Sequence, residues 1–144
     1  MLAFDVDQQL VPPEYRLNHA KLSKLSRALA KHVPKFSQGQ VAVSFVSDQD
    51  IRRLNRQYRS KDRVTDVLSF PAPEQDLSGL LGDVLIAFNQ AQRQAEDGDI
   101  ELEIADLLVH GILHLMGYNH EQPDEAHVMF PLQDKLVAEI LWRP

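Results

Sequence analysis

The sequence predicts a single α+β domain over residues 1–144, with a small mixed four-stranded sheet packed with helices and one helix buried in the core. Three observations lead there. Four short runs, at residues 2–6, 41–46, 67–70 and 83–88, are apolar or alternate as strands do, and stretches with helical spacing separate and follow them. A chain of 144 residues is long enough to bury one core without staples. No repeat, low-complexity segment or linker divides it.

The elements follow in order. Residues 2–6 are apolar apart from Asp5 and begin the sheet. Asn18 is placed to cap a helix in which Leu22, Leu25, Leu29 and Val33 recur at helical spacing until Pro34 stops it. Residues 41–46 alternate and are rich in valine. The helix in the connection from the first strand favours parallel pairing between these two, since parallel neighbours need a long crossover. Ser47-Asp48-Gln49-Asp50 is like a capping box and opens a helix to about Tyr58. Residues 67–70 form a third strand ended by Pro71 and Pro73, residues 76–79 a loop, and residues 83–88 a fourth strand. Asn89 is placed to cap a short helix ending near Gly98. A long helix covers residues 100–116 and a last one residues 124–141.

Composition narrows the function. The chain has no cysteine, which excludes disulfides, thiolate metal ligands and cysteine nucleophiles and is compatible with a reducing compartment. The N-terminal residues carry two early aspartates and no basic stretch leading into an apolar run, so no secretory leader is expected. No run approaches the roughly 18 apolar residues of a membrane span. The expectation is a cytoplasmic protein with no membrane partner. A net charge of −6 argues against a polyanionic partner, but Arg52, Arg53, Arg56, Arg59, Lys61 and Arg63 place six of the 15 basic residues in residues 52–63. A charge run is more often a solvated helix face than a binding surface, so this window is a hint only.

The stronger signal is in the long helix. Ile104, Leu107, Leu108, Val109, Ile112, Leu113, Leu115 and Met116 make it apolar nearly all round, so it should be buried. At about 100° per residue, its polar residues Glu103, Asp106, His110 and His114 fall within roughly 80° of one another. Such a stripe must be satisfied, and a metal ion is one way to do it. Two histidines at i and i+4 reach one ion from one face. Gly117 can take the left-handed conformation that ends a helix, letting the chain turn through Tyr118-Asn119 and bring His120 to the first two. Three neutral imidazoles leave a fourth position open, the mark of a catalytic zinc site rather than a structural one. His19, His32 and His127 are read as ordinary core or surface residues.

The spacing equals that of the extended zinc-protease helix His-Glu-x-x-His-x-x-Gly-x-x-His, with one difference. Gly111 stands where those proteases carry their general-base glutamate, which removes the base and is expected to leave room beside the metal. The run from His110 through Gly111-Ile112-Leu113-His114-Leu115-Met116-Gly117-Tyr118-Asn119 to His120 resembles the signature of the YbeY family, metal-dependent endoribonucleases of rRNA maturation. Leu54-Asn55, Tyr58-Arg59, Thr65-Asp66-Val67-Leu68-Ser69-Phe70-Pro71 and Leu81-Gly82-Asp83-Val84 resemble further blocks of that family, over roughly residue 41 to the C-terminus. The resemblance implies a zincin-like α+β fold and one Zn2+ per chain on His110, His114 and His120. It implies catalytic roles for Arg59 and His114, and cleavage of single-stranded RNA, not DNA, in 16S rRNA 3′-end maturation and ribosome quality control. The ribosome or its small subunit is then the implied partner. The chain departs from the family at Asn119, usually aspartate, and at Val64, usually proline. An amide accepts a hydrogen bond but takes up no proton, which puts a base at position 119 in doubt. Asp66, Asp83 and Glu121 stay open as acids or bases. Two other readings use the same histidines: a metallopeptidase or other small metal-dependent hydrolase, and a non-catalytic ribosome-assembly factor with a structural metal.

Overall fold

Strand β1 (Leu2–Asp7) leads through helix α1 (His19–His32) into strand β2 (Gly39–Val46), and the two strands pair in parallel, Phe4 opposite Val41 and Val6 opposite Val43. The computed structural model describes residues 1–36, 38–73 and 77–141. The Asn18 side chain caps α1 by accepting from the Lys21 N–H at 2.9 Å, and Ser47 caps α2 (Asp48–Arg59) by accepting from the Asp50 N–H at 3.1 Å. Strand β3 (Val67–Pro71) runs antiparallel to β4 (Leu80–Ala87), which lies parallel to β2, so the order is β1-β2-β4-β3. Helices α3 (Phe88–Gln94), α4 (Ile100–Leu115) and α5 (Pro123–Ile140) complete the α+β fold.

Several boundaries differ from the sequence reading: β2 begins at Gly39 rather than residue 41, β3 includes Pro71, and α3 ends at Gln94 rather than near Gly98. β4 begins at Leu80 rather than residue 83: Leu80 pairs with Gln40 and Gly82 with Val41, a bulge that skips Leu81 and breaks the alternation by which a strand is read from sequence. Phe88 belongs to α3 and not to the strand, and Asn89 lies inside that helix, whose N-cap is Ala87 with no side-chain bond. Phe88 is buried in either conformation, so its apolar character does not separate strand from helix. Of the loop expected at residues 76–79, position 76 falls outside the described residues.

The sheet has two unequal faces. On one face Val41, Val43, Phe45, Val84 and Ile86 share one buried cluster with Ile104, Leu108, Ile112 and Leu113 of α4 and Met129 and Leu136 of α5. Each large apolar side chain so buried contributes about 1.5–3 kcal/mol. On the other face α2 sets Ile51 against Leu68 and Ala87 in a smaller cluster. β3 is an edge strand. Ala87 N–H donates to the Asp66 carbonyl and Ala72 N–H to the Leu81 carbonyl, both at 2.9 Å, so residues 67, 69 and 71 turn their backbone groups outward from the sheet.

α4 crosses β3 and β4 at close range because residue 111 has no side chain. A Cβ there would lie 2.6 Å from Val84 Cγ1 and 3.1 Å from Ser69 Oγ. Ser69 Oγ donates instead to the Gly111 carbonyl at 3.0 Å, tying strand to helix. The room expected beside the metal is therefore absent: the vacant side of Gly111 faces the sheet and is filled by it. Gly111→Ala is expected to destabilise by about 1–2 kcal/mol, overpacking outweighing the roughly 1 kcal/mol gain in helix propensity. Urea unfolding of the two proteins measures the difference, and an alanine variant as stable as the parent would contradict the close contact.

Candidate metal centre and its cleft

The C-terminal end of α4 is built to aim one histidine and to return another. Tyr118 N–H donates to the Leu113 carbonyl and Gly117 N–H to the His114 carbonyl, both at 3.0 Å, which is the Schellman pattern with Gly117 at φ 95°. This cap places the Tyr118 carbonyl 2.9 Å from His114 Nδ1. A carbonyl only accepts, so Nδ1 carries the proton and Nε2 presents a lone pair. The turn then carries His120 back until its ring stands 5.2 Å from each of the other two, where Phe130 of α5 lies against it at 5.4 Å.

His110, His114 and His120 offer three ring nitrogens within 4.8 Å of one another, as the sequence reading required. His110 Nδ1 meets Gln133 Oε1 at 2.9 Å, and the two Nε2 atoms face each other at 3.0 Å. Two nitrogens bound at about 2.0–2.1 Å with tetrahedral angles sit roughly 3.3 Å apart. The donor set therefore fits one ion of that size. Burial holds the His114 imidazole below its ordinary pKa, and neighbouring His110, His120 and Arg59 push the same way, against the opposing bond to Tyr118. Neutral imidazole is the form that ligates.

The rest of the stripe is satisfied without an ion. Gln94 Nε2 donates to Glu103 at 3.3 Å and to Asp66 at 2.9 Å, and Gln133 Nε2 donates to Asp106 at 2.8 Å. Burial, with Asp106, Asp66 and Glu96 nearby, raises the Glu103 carboxyl above its usual range despite the Gln94 bond.

A cleft of about 670 Å³ opens over the histidines, lined by Arg59, Lys61 and Arg63 on one side and Asn119 and Glu121 on the other. Arg59, at the end of α2, reaches past the sheet edge. Its Nη2 donates to the outward Ser69 carbonyl at 2.9 Å, and its guanidinium lies 5.8 Å from the centre of the Phe70 ring. Asp66 also lines the cleft, whereas Asp83 does not. Asp83 alternates with Val84, which faces α4, and so points to the opposite side of the sheet. Only half of the basic window reaches the cleft: Arg52 is paired with Asp62 at 2.9 Å and Arg53 with Asp50 at 3.5 Å. Sequence reasoning missed Gln133 and Ser69. Gln133 is 6% exposed and shares the buried face of α5 with Met129, Leu136 and Val137, a polar residue where helical spacing calls for an apolar one.

Fold and site together define a small α+β protein whose three-histidine group could hold a metal ion. Residues 10–141 match the family model described as Endoribonuclease YbeY. Proteins named Endoribonuclease YbeY from Persephonella marina and Halalkalibacterium halodurans are 45% identical over 107 residues (70% of each chain) and 40% identical over 124 residues (76% of this chain, 78% of the relative). One from Lacticaseibacillus paracasei is 37% identical over 142 residues, covering 92% of this chain and 91% of the relative. A solution structure from Thermotoga maritima superposes with a TM-score of 0.61 at 31% identity, covering 97% of this chain and 89% of that one. The chain belongs to the YbeY endoribonuclease family. Among the described residues no helix is long and apolar enough to cross a membrane.

The His114 shift sets a pH dependence for the metal-free protein. The folded pKa lies below the unfolded value of 6.5, so as pH falls through 6.5 the unfolded chain takes up a proton that the folded chain refuses. This group's contribution is thus fully present above that pH and is lost below it. Denaturation of metal-stripped protein at about pH 8 and about pH 5.5 should show the loss, and His114→Asn, which keeps a donor for Tyr118, should lessen it. An equal pH slope in the variant would remove His114 as the cause.

Proposed function

We propose that residues 1–144 form one cytoplasmic, zinc-dependent endoribonuclease domain that cuts single-stranded RNA in 16S rRNA 3′-end maturation and ribosome quality control. The observation that carries this reading is the convergence of three imidazoles on a cleft whose other wall holds Arg59, Lys61 and Arg63. His110, His114 and His120 hold one Zn2+ per chain; three imidazoles with no thiolate suit zinc. When bound, the ion supplies Lewis acidity and charge stabilisation at the scissile phosphate.

The chain's own residues do the rest. Arg59 is the catalytic cation. Its bond to Ser69 and its place over Phe70 pre-position it beside the histidines, and a guanidinium has five N–H donors, so one such bond leaves others for a phosphate whose charge grows in the transition state. Lys61 and Arg63 neutralise flanking phosphates. Asp66 and Glu121 line the cleft and are the candidates to move a proton, while Asp83, on the far side of the sheet, is not. Gly111 supports this reading over a metallopeptidase, since the position of the protease glutamate is packed against Val84 and Ser69.

Purified protein should cut labelled single-stranded RNA, leave casein and single-stranded DNA intact, and stop when zinc is chelated. His114→Ala should lose most of its zinc by elemental analysis and its cleavage with it. Cleavage of casein alone would favour the peptidase reading. Zinc bound without cleavage of either would favour an assembly factor.

Arg59 and Arg63 should fail differently. Arg59→Ala is expected to lower kcat by roughly a hundredfold or more, the scale of a lost transition-state donor. Arg63→Ala should raise KM and flatten the salt dependence by about one unit of slope, sparing kcat. Single-turnover cleavage across a salt series separates the two. A change in KM alone for Arg59→Ala would reduce it to a phosphate contact.

A further inference from the structure

His110 differs from His114 in what orients it. The Tyr118 carbonyl that holds His114 belongs to the backbone, whereas His110 Nδ1 is held at 2.9 Å by the side chain of Gln133, which crosses from α5. An amide has a donor end and an acceptor end, and either could face the ring. The third member decides. Asp106 Oδ1 lies 2.8 Å from the other end of the Gln133 amide, and a carboxylate only accepts. The NH2 of Gln133 must therefore face Asp106 and its carbonyl must face His110. The His110 proton then stays on Nδ1, and Nε2 is a bare lone pair directed at the Nε2 of His114. Gln133 is 6% exposed, so water does not substitute for either bond.

We infer that Asp106 and Gln133 form a relay that sets the tautomer of His110, making Gln133 a positioning residue for metal binding. The relay starts from an acid on α4, crosses to α5 and returns to α4 one turn further on. It makes the metal site depend on the docking of two helices, not on α4 alone. The inference rests on the proposal that His110 ligates zinc, but its first consequence, the tautomer, holds without any metal.

Two measurements test it. In metal-free protein at about pH 9, where imidazoles are neutral, long-range 1H–15N correlation spectra should show His110 protonated on Nδ1, and Gln133→Leu should shift it towards Nε2–H. Competition with a chelator should show zinc binding weakened about 10- to 100-fold in Gln133→Leu, the scale of lost support behind a ligand. Gln133→Glu combined with Asp106→Asn keeps a donor–acceptor pair with the acceptor facing His110, and should bind zinc within a few fold of the parent. This double variant keeps the test alive if the leucine variant does not fold. The relay is overturned if His110 carries its proton on Nε2 in the parent, if Gln133→Leu binds zinc within twofold of the parent, or if the double variant binds more than about tenfold weaker than the parent. A parent that binds no zinc rejects the metal reading instead, and the spectra still decide the tautomer.

Discussion

Helix α4 is apolar on every side but one, and the need to satisfy that one polar stripe inside the protein organises the rest of the molecule. Glu103, Asp106, His110 and His114 are half-buried, and burial of polar groups is costly where they are left unpaired. Three outside elements answer them. Gln94 of α3 serves Glu103, Gln133 of α5 serves both Asp106 and His110, and the turn after the helix serves His114. What is left over is two Nε2 lone pairs 3.0 Å apart, with a third imidazole swung beside them. Like partial charges that close favour a cation between them, and the three histidines could hold a metal ion.

Two glycines make this geometry possible in different ways. Gly117 supplies a backbone conformation, letting the chain reverse within one turn and deliver His120. Gly111 supplies proximity. By letting α4 settle onto Val84 and Ser69, it brings the histidines level with the open edge of β3. Ser69 is then the joint of the site: its hydroxyl donates to α4 while its outward carbonyl accepts from Arg59. The antiparallel placement of β3 at the sheet edge is what frees that carbonyl, so sheet order reaches directly into the arrangement of cation and histidines.

In this chain the arrangement sets a partly exposed group of three histidines beside Arg59, Lys61 and Arg63. The two faces of the sheet divide the labour. One carries the large core and the histidines, and the other carries α2, whose last residue reaches past the edge to join them. Arg52 pairs with Asp62 and Arg53 with Asp50, while Arg59, Lys61 and Arg63 line the cleft.

The sequence by itself determined the element order, the buried character of α4, the histidine triplet and the glycine that returns the third histidine, because these are local. They follow from periodicity, capping and spacing within a few turns of one another. Phe88 shows the limit of such reading, since an apolar residue at a strand end is buried equally well as the first residue of a helix. Gln133 shows another. Its polarity on an apolar face was visible, but its partners lie 27 and 23 residues away on another helix. Only the tertiary structure decided that Asp83 faces away from the cleft, that Gly111 fills against the sheet, and that half of the basic run is turned elsewhere. Each is a question of which face meets which neighbour, and that depends on contacts between elements distant in the chain, about which local spacing carries no information.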